Sequence, residues 1–191
     1  LLSLNMSRWA CHFTTTANLT SCGASNCVAA GAGVELCEPL PGEMGLGGYY
    51  GHYQGHWLSA TAFLYNNTRN ATVKAAADGA IATLARVMDA WAAKYPDRDG
   101  YLFPYDPLVF DQLLRGEGAQ PYYSVPFYTL HKIMAGLLDQ YQLAGNDQAF
   151  AMVKRMADWV VRNVARASVA KDAQGKLMWQ EVLNTEWGGM N

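Results

Sequence analysis

Gly51-His52-Tyr53-Gln54-Gly55-His56-Trp57-Leu58-Ser59-Ala60 is the stretch on which the reading of this chain turns. It holds two of the four histidines, four residues apart and set among aromatics. Continued forward, Tyr53, Trp57, Thr61, Leu64 and Tyr65 fall on one helical face, and Asn66-Asn67-Thr68-Arg69-Asn70 ends the pattern. Residues at i and i+4 of a helix share a face, so His52 and His56 project together.

Outward from this helix the same period persists. Val73, Ala77, Ala80, Ile81, Leu84, Val87, Met88 and Trp91 predict a second helix from Ala71 to Lys94, broken by Pro96-Asp97-Arg98-Asp99-Gly100. Residues 100–125 mix aromatics, carboxylates, Pro and Gly, the composition of a long functional or mobile connection. A third helix is predicted from Pro126 to Leu143, with proline suited to its first turn. Its inward residues are Leu130, Ile133, Met134, Leu137, Leu138 and Tyr141, and Gly145 supplies the stop. Asn146 or Asp147 caps a fourth helix reaching Arg166, with Phe150, Val153, Met156, Ala157, Val160 and Val164 inward. Trp179 to Thr185 reads as the start of a fifth. His56 and His131 take equivalent places near the starts of the first and third helices, and both pairs turn at an asparagine, Asn70 and Asn146. Such a weak repeat is the mark of stacked helical hairpins. No segment sustains a period of two, so the fold class is all-α.

Working back, residues 1–45 read as an irregular, disulfide-rich leader and 46–191 as the helical unit. The leader is rich in Gly, Ser, Thr, Asn and Pro and holds all four cysteines, Cys11, Cys22, Cys27 and Cys37. None forms a C-x-x-C pair, which argues against a structural zinc. Two disulfides are expected, and spacing does not choose among their connectivities. Asn5, Asn18, Asn66 and Asn70 each begin a glycosylation acceptor pattern. Sequons and cysteines together imply a secreted protein.

With 191 residues, 51% hydrophobic and 16% charged, the chain buries a core and is not disordered. A net charge of −2 gives no case for a nucleic-acid partner. The apolar runs fall short of the roughly 20 residues of a membrane helix. The chain starts without Met and stops at Gly188-Gly189-Met190-Asn191, which reads as a processed or partial chain.

The histidines admit several readings. A His pair at i, i+4 can hold zinc, but tyrosine follows His52, so H-E-x-x-H is absent and no third ligand stands nearby. Buried histidines bonded at a helix start are one alternative. Sugar contact is another, favoured by Gly48, Gly51 and Gly55, which allow close approach to the backbone. His131 follows Tyr123-Ser124-Val125-Pro126-Phe127-Tyr128. Aromatic faces stacking on sugar C–H surfaces beside a hydrogen-bonding imidazole would make a carbohydrate subsite; a core aromatic cluster with one satisfied histidine fits equally. Among the carboxylates, Asp111 and Glu186 have the settings suited to glycoside hydrolysis; the others sit beside Pro, Lys or Arg and read as solvated. No G-x-S-x-G, Walker or dinucleotide-binding glycine pattern occurs.

The Gly51–Ala60 block, Gly100-Tyr101-Leu102, Phe110-Asp111, the run from Pro126 to Asp139, Leu143-Ala144-Gly145-Asn146, Met156-Ala157-Asp158-Trp159 and Glu186-Trp187-Gly188-Gly189-Met190-Asn191 resemble the β-L-arabinofuranosidase-type glycoside hydrolases of families 127 and 146. The likeness runs in order from about residue 38 to the last residue and leaves the leader uncovered. It implies an (α/α)6 barrel, of which these hairpins are the first. It also implies release of L-arabinofuranose from plant-type glycans with retention, by a zinc-bound cysteine nucleophile and a glutamate acid/base. Zinc is therefore expected in the full-length enzyme. The family's cysteines lie beyond the Gly-Gly-Met-Asn block, so no nucleophile, acid/base or zinc ligand carries over to this chain. Sugar-pocket positions do: His131, His52 and His56, with Tyr128, Glu186 and Asn191. The alternatives are a carboxylate-only (α/α)6 glycosidase or lyase and a non-catalytic carbohydrate-binding helical module. The 191-residue chain alone is expected to be inactive; turnover of an aryl β-L-arabinofuranoside by the purified chain would refute this.

Overall fold

The computed structural model describes residues 6–19, 27–29, 35–37, 51–107, 110–111, 126–167, 169, 171, 174–177 and 179–180. In chain order these give helix α1 (Met6–Thr16), strands β1 (Cys27–Ala29) and β2 (Glu35–Cys37), and helices α2 (His52–Thr68) and α3 (Ala71–Lys94). A short 3-10 turn (Pro96–Arg98) and helices α4 (Pro126–Ala144) and α5 (Asp147–Ala167) follow.

The centre is the contact of α2 with α4. Gly55 and Gly136 face each other, so backbone lies against backbone. A methyl group on Gly55 would run into the Lys132 carbonyl, and one on Gly136 into the Gly55 carbonyl. Further along, Gln140 Nε2 donates to Leu58 O at 2.7 Å and to Thr61 Oγ1 at 2.9 Å. Thr61 Oγ1 in turn donates to Trp57 O and Leu58 O. These polar groups are buried but paired, which removes most of the cost of burying them. The contacts advance together along both helices, so α2 and α4 run parallel and begin at the same end.

Each of the two helices folds back into an outer partner. Arg69, in the left-handed region at φ 54°, turns α2, and Asn70 Oδ1 caps α3 by accepting from Thr72 N and Val73 N. Gly145, at φ 67°, turns α4, and Asn146 Oδ1 accepts from Ala149 N at 2.9 Å. Asn146 Nδ2 also donates to Asp78 Oδ1 at 2.7 Å, tying the second corner to α3. The two asparagine corners of the repeat are thus joined through the outer helix. Arg155 of α5 bridges Asp89 and Asp99 at 2.7 Å each. Asp99, expected to be solvated, instead holds the outer helices to the turn that follows α3.

The buried residues expected for α3, from Val73 to Trp91, are all buried. Elsewhere the structure corrects the expectation. The buried residues of α2 are Gln54, Gly55, Trp57, Leu58, Thr61 and Ala62, because this helix is covered on several sides. In α4, Gly136 and Gln140 are buried while Met134, Leu138 and Tyr141 are half-buried. In α5 Met156 and Val160 are buried as expected, but Ala149, Met152 and Trp159 join them, while Phe150 is 38% exposed and stacks on Tyr141. Tyr101, Leu102 and Phe103 are core residues and not loop surface. Tyr101 packs edge-on against Trp91, Phe110 and Trp159, and its hydroxyl donates to Tyr105 O at 2.7 Å.

The leader is also not wholly irregular. Met6–Thr16 is helical, and Phe13 is fully buried in the main core against Gly51 and Pro104. Threonine-rich sequence disfavours helix in isolation, and tertiary burial overrides that preference. β1 and β2 pair antiparallel with Cys27 opposite Cys37. Three residues are too few to show a period of two. Of the expected fifth helix, Trp179 and Gln180 are helical and 181–185 lie outside the described residues.

Glycine in a helix interior ordinarily costs about 1 kcal/mol relative to alanine. At Gly79, with nothing within 4 Å of an added methyl, Gly79→Ala should therefore stabilise the protein by about that much. At Gly136 the sign reverses: Gly136→Ala must part α2 from α4 and should cost about 1–3 kcal/mol. Thermal unfolding of the two variants checks both directions, and equal shifts would refute the close-contact account.

Candidate functional site

The parallel start of α2 and α4 sets their first turns side by side. His52, Tyr53 and His56 come from α2; Tyr128, His131 and Lys132 come from α4. Because Gly55 packs on the Lys132 carbonyl, the neighbouring histidines of the two helices cannot stand far apart. His52 and His56 lie edge to face with ring centres 5.8 Å apart. Tyr128 stands between the helices, 6.3 Å from His52 and 5.2 Å from His131, and Lys132 Nζ lies 5.0 Å over its ring. Tyr53 packs on His52 at 4.3 Å. Most of these side chains are half-buried, and His56 is exposed. Gly51, at φ 87°, is the turn residue just before α2; a side chain there would meet Phe13 and Pro104.

The electrostatics favour neutral imidazoles. Burial lowers the pKa of His56, and the charges of Lys132 and of His52 add to it. For His131, burial comes first, then Lys132, with His56 acting the same way. The Phe127 carbonyl one turn back pulls the other way for His131. Its Nδ1 is buried without a hydrogen bond among the described residues, so that carbonyl supplies an electrostatic bias and not a formed bond. The positive end of each helix acts in the same sense as burial. A neutral imidazole offers one donor and one acceptor, which a hydroxyl pair can use.

Of the positions expected to contact sugar, the structure therefore brings together His52, His56, Tyr128 and His131; Glu186 and Asn191 lie outside the described residues. The same cluster does not make a metal centre. Among the described residues no group of three or more His, Cys, Asp or Glu is arranged to hold an ion. Asp111 is half-buried with its carboxylate 2.6 Å from Arg98 Nη2. Cys22 and Asn5 lie outside the described residues. Asn66 and Asn70 sit at the α2–α3 corner, at the opposite end of α2 from the histidines, and exposed Asn18 follows α1.

Sequence reasoning passed over two features. Gln54 and Gln140 are polar yet buried, and no hydrophobic period reveals such residues. His12 on α1 is 7% exposed, and burial lowers its pKa to about 4. Its one signal was adjacency to Phe13 in a threonine-rich segment read as irregular.

Two parallel inner helices, each folded back into an outer helix, make an all-α hairpin arrangement of the (α/α)6 type. The chain belongs to the β-L-arabinofuranosidase family: the model of the GH127 catalytic domain matches residues 1–191. That match takes in the leader, which the motif resemblance had left uncovered. Comparison with curated proteins gives no match. Membership implies a carbohydrate substrate, and among the described residues no helix is long and apolar enough to cross a membrane.

His12 sets a pH dependence. The unfolded chain takes up its proton near 6.5, while the folded protein resists it down to about 4. Below pH 6.5 the unfolded state binds more protons, so stability falls as pH drops from there to about 4 and then levels. The loss attributable to His12 is up to about 3 kcal/mol. Urea unfolding of wild type and His12→Gln at pH 7 and pH 4.5 measures it; an equal acid-side loss in both would remove His12 as the cause.

Proposed function

We propose that the cluster of His52, His56, Tyr128 and His131 is the sugar-binding end of a retaining enzyme that releases L-arabinofuranose from plant-type glycans. The observation that carries this reading is the convergence of His52, Tyr128 and His131 from two parallel helices, with ring centres 6.3 Å and 5.2 Å from the tyrosine. A furanose presents hydroxyls at its edge and C–H groups on its faces. Neutral imidazoles serve the first and tyrosine rings the second. Family membership supplies the reaction class, and the histidine pKa shifts favour the uncharged, two-way hydrogen-bonding form.

The cleaving groups belong to residues other than those of this cluster. Zinc, which the family resemblance implies for the full-length enzyme, belongs to the same proposal. Asp111 as a catalytic carboxylate, the core of the carboxylate-only alternative, has less in its favour, because Arg98 already holds one of its oxygens at 2.6 Å. Secretion, glycosylation and a disulfide-held leader form part of the same proposal. The four acceptor patterns and the bonded state of Cys11 support them.

In the protein that carries this chain, His131→Ala is expected to lower kcat/KM on an aryl β-L-arabinofuranoside about a hundredfold with little change in Tm. His131→Gln, which keeps one donor and one acceptor, should recover part of the loss. Unchanged turnover in His131→Ala would defeat the reading.

A further inference from the structure

We propose that the small cleft lined by Tyr95, Arg98, Asp106, Pro107 and Asp111 is a second carbohydrate subsite, taking one neutral sugar ring of the glycan beyond the residue held by the histidines. The inference builds on the reading of the histidine cluster as sugar-binding. Its volume, about 140 Å³, is well under the roughly 300 Å³ at which drug-sized pockets begin, so it suits a single ring and not a nucleotide.

The lining supplies what a sugar ring needs. Arg98 Nη2 donates to Asp111 Oδ2 at 2.6 Å, and Arg98 Nε faces Asp97 at 3.5 Å. Arg98 Nη1 and Asp111 Oδ1 then remain without a partner among the described residues. A guanidinium N–H beside a carboxylate oxygen matches two neighbouring hydroxyls, one accepting and one donating. The apolar wall is Tyr95 with Pro107. Tyr95 is 38% exposed, yet its ring is held by stacking on Trp91 at 16° and by Lys94 Nζ at 5.0 Å. An exposed ring whose orientation is already set loses little entropy when a sugar face packs on it. Arg98 pairs with Asp97 and Asp111, and Asp106 lines the cleft as well, so among the described residues carboxylates outnumber the guanidinium and favour a neutral ring over a uronate or phosphate.

The cleft lies at the end of α3 that returns to the start of α2, the same end of the helices as the histidine cluster. The segment that supplies Asp106, Pro107 and Asp111 also lays Pro104 on Gly51, just before His52, and Phe110 on Phe127, just before Tyr128. Cleft and histidine cluster are therefore built on the same connection. An Arg98–Asp111 pair serving only to hold that connection would not need the oriented, exposed ring of Tyr95.

The test compares calorimetric affinities of the protein carrying this chain for methyl β-L-arabinofuranoside and for an arabinofuranosyl trisaccharide. Wild type should bind the trisaccharide at least about fivefold more tightly. In Tyr95→Ala that ratio should collapse towards one, with Asp111→Asn moving it the same way and thermal unfolding of Tyr95→Ala staying near wild type. No gain with length in wild type, or a gain that Tyr95→Ala retains, overturns the subsite. If the trisaccharide gain depends on Tyr95 while His131→Ala changes neither affinity, the subsite stands and the reading of the histidine cluster falls.

Discussion

The contact between Gly55 and Gly136 is the constraint on which the other features depend. Two helices can bring backbone to backbone only where neither carries a side chain, and here each glycine leaves no room for a methyl group. That approach brings the Gln140 amide nitrogen within reach of Leu58 O and Thr61 Oγ1, so the donor end of this buried side chain is met at the same interface. It also aligns the starts of α2 and α4. Histidines far apart in sequence then meet across a tyrosine, without any special loop to bring them there.

Around this pair the outer helices and the connection after α3 act as a frame. Asn146 caps its own helix and reaches Asp78 of α3, while Arg155 ties α5 to Asp89 and Asp99. Exposed ion pairs of this kind contribute little to stability, and their role is to hold geometry. Stability comes from the aromatic cluster of Trp91, Tyr101, Phe103, Phe110, Phe127 and Trp159, which packs the connection into the core. One segment thereby supports the turn before His52, the residue before Tyr128 and the cleft of Tyr95 and Asp111.

Legibility in the sequence followed burial. α3, an outer helix with one apolar face, was readable residue by residue because the pattern alternates between core and solvent. α2 is inner and covered on several sides, so Trp57 and Thr61 are buried as the period placed them, but the buried set also takes in Gln54, Gly55 and Leu58 while Tyr53, Leu64 and Tyr65 are only half-buried. α5 was readable as a helix, with Met156 and Val160 buried as expected, but Phe150 finds Tyr141 on the outside instead of the core. The segment 101–105 carries loop composition, and α1 carries weak helix formers; both are decided by what they pack against. Among the site residues, His52, His56, Tyr128 and His131 stood out by their setting among aromatics. His12 and the Tyr95–Arg98–Asp111 cleft did not, because their parts look ordinary until they are brought together.

By itself the sequence determined the paired helices, their asparagine corners and the family, because period, caps and motif blocks are local properties that survive without a partner. It also marked the histidines at equivalent helix starts. Only the tertiary structure decided that the two inner helices run parallel and touch at glycines, that the imidazoles of His56 and His131 are pushed towards neutrality, and that Asp111 answers to Arg98. Each of these depends on distance between residues remote in sequence. Burial and charge–charge interaction act through space, so they are defined only once the chain has folded.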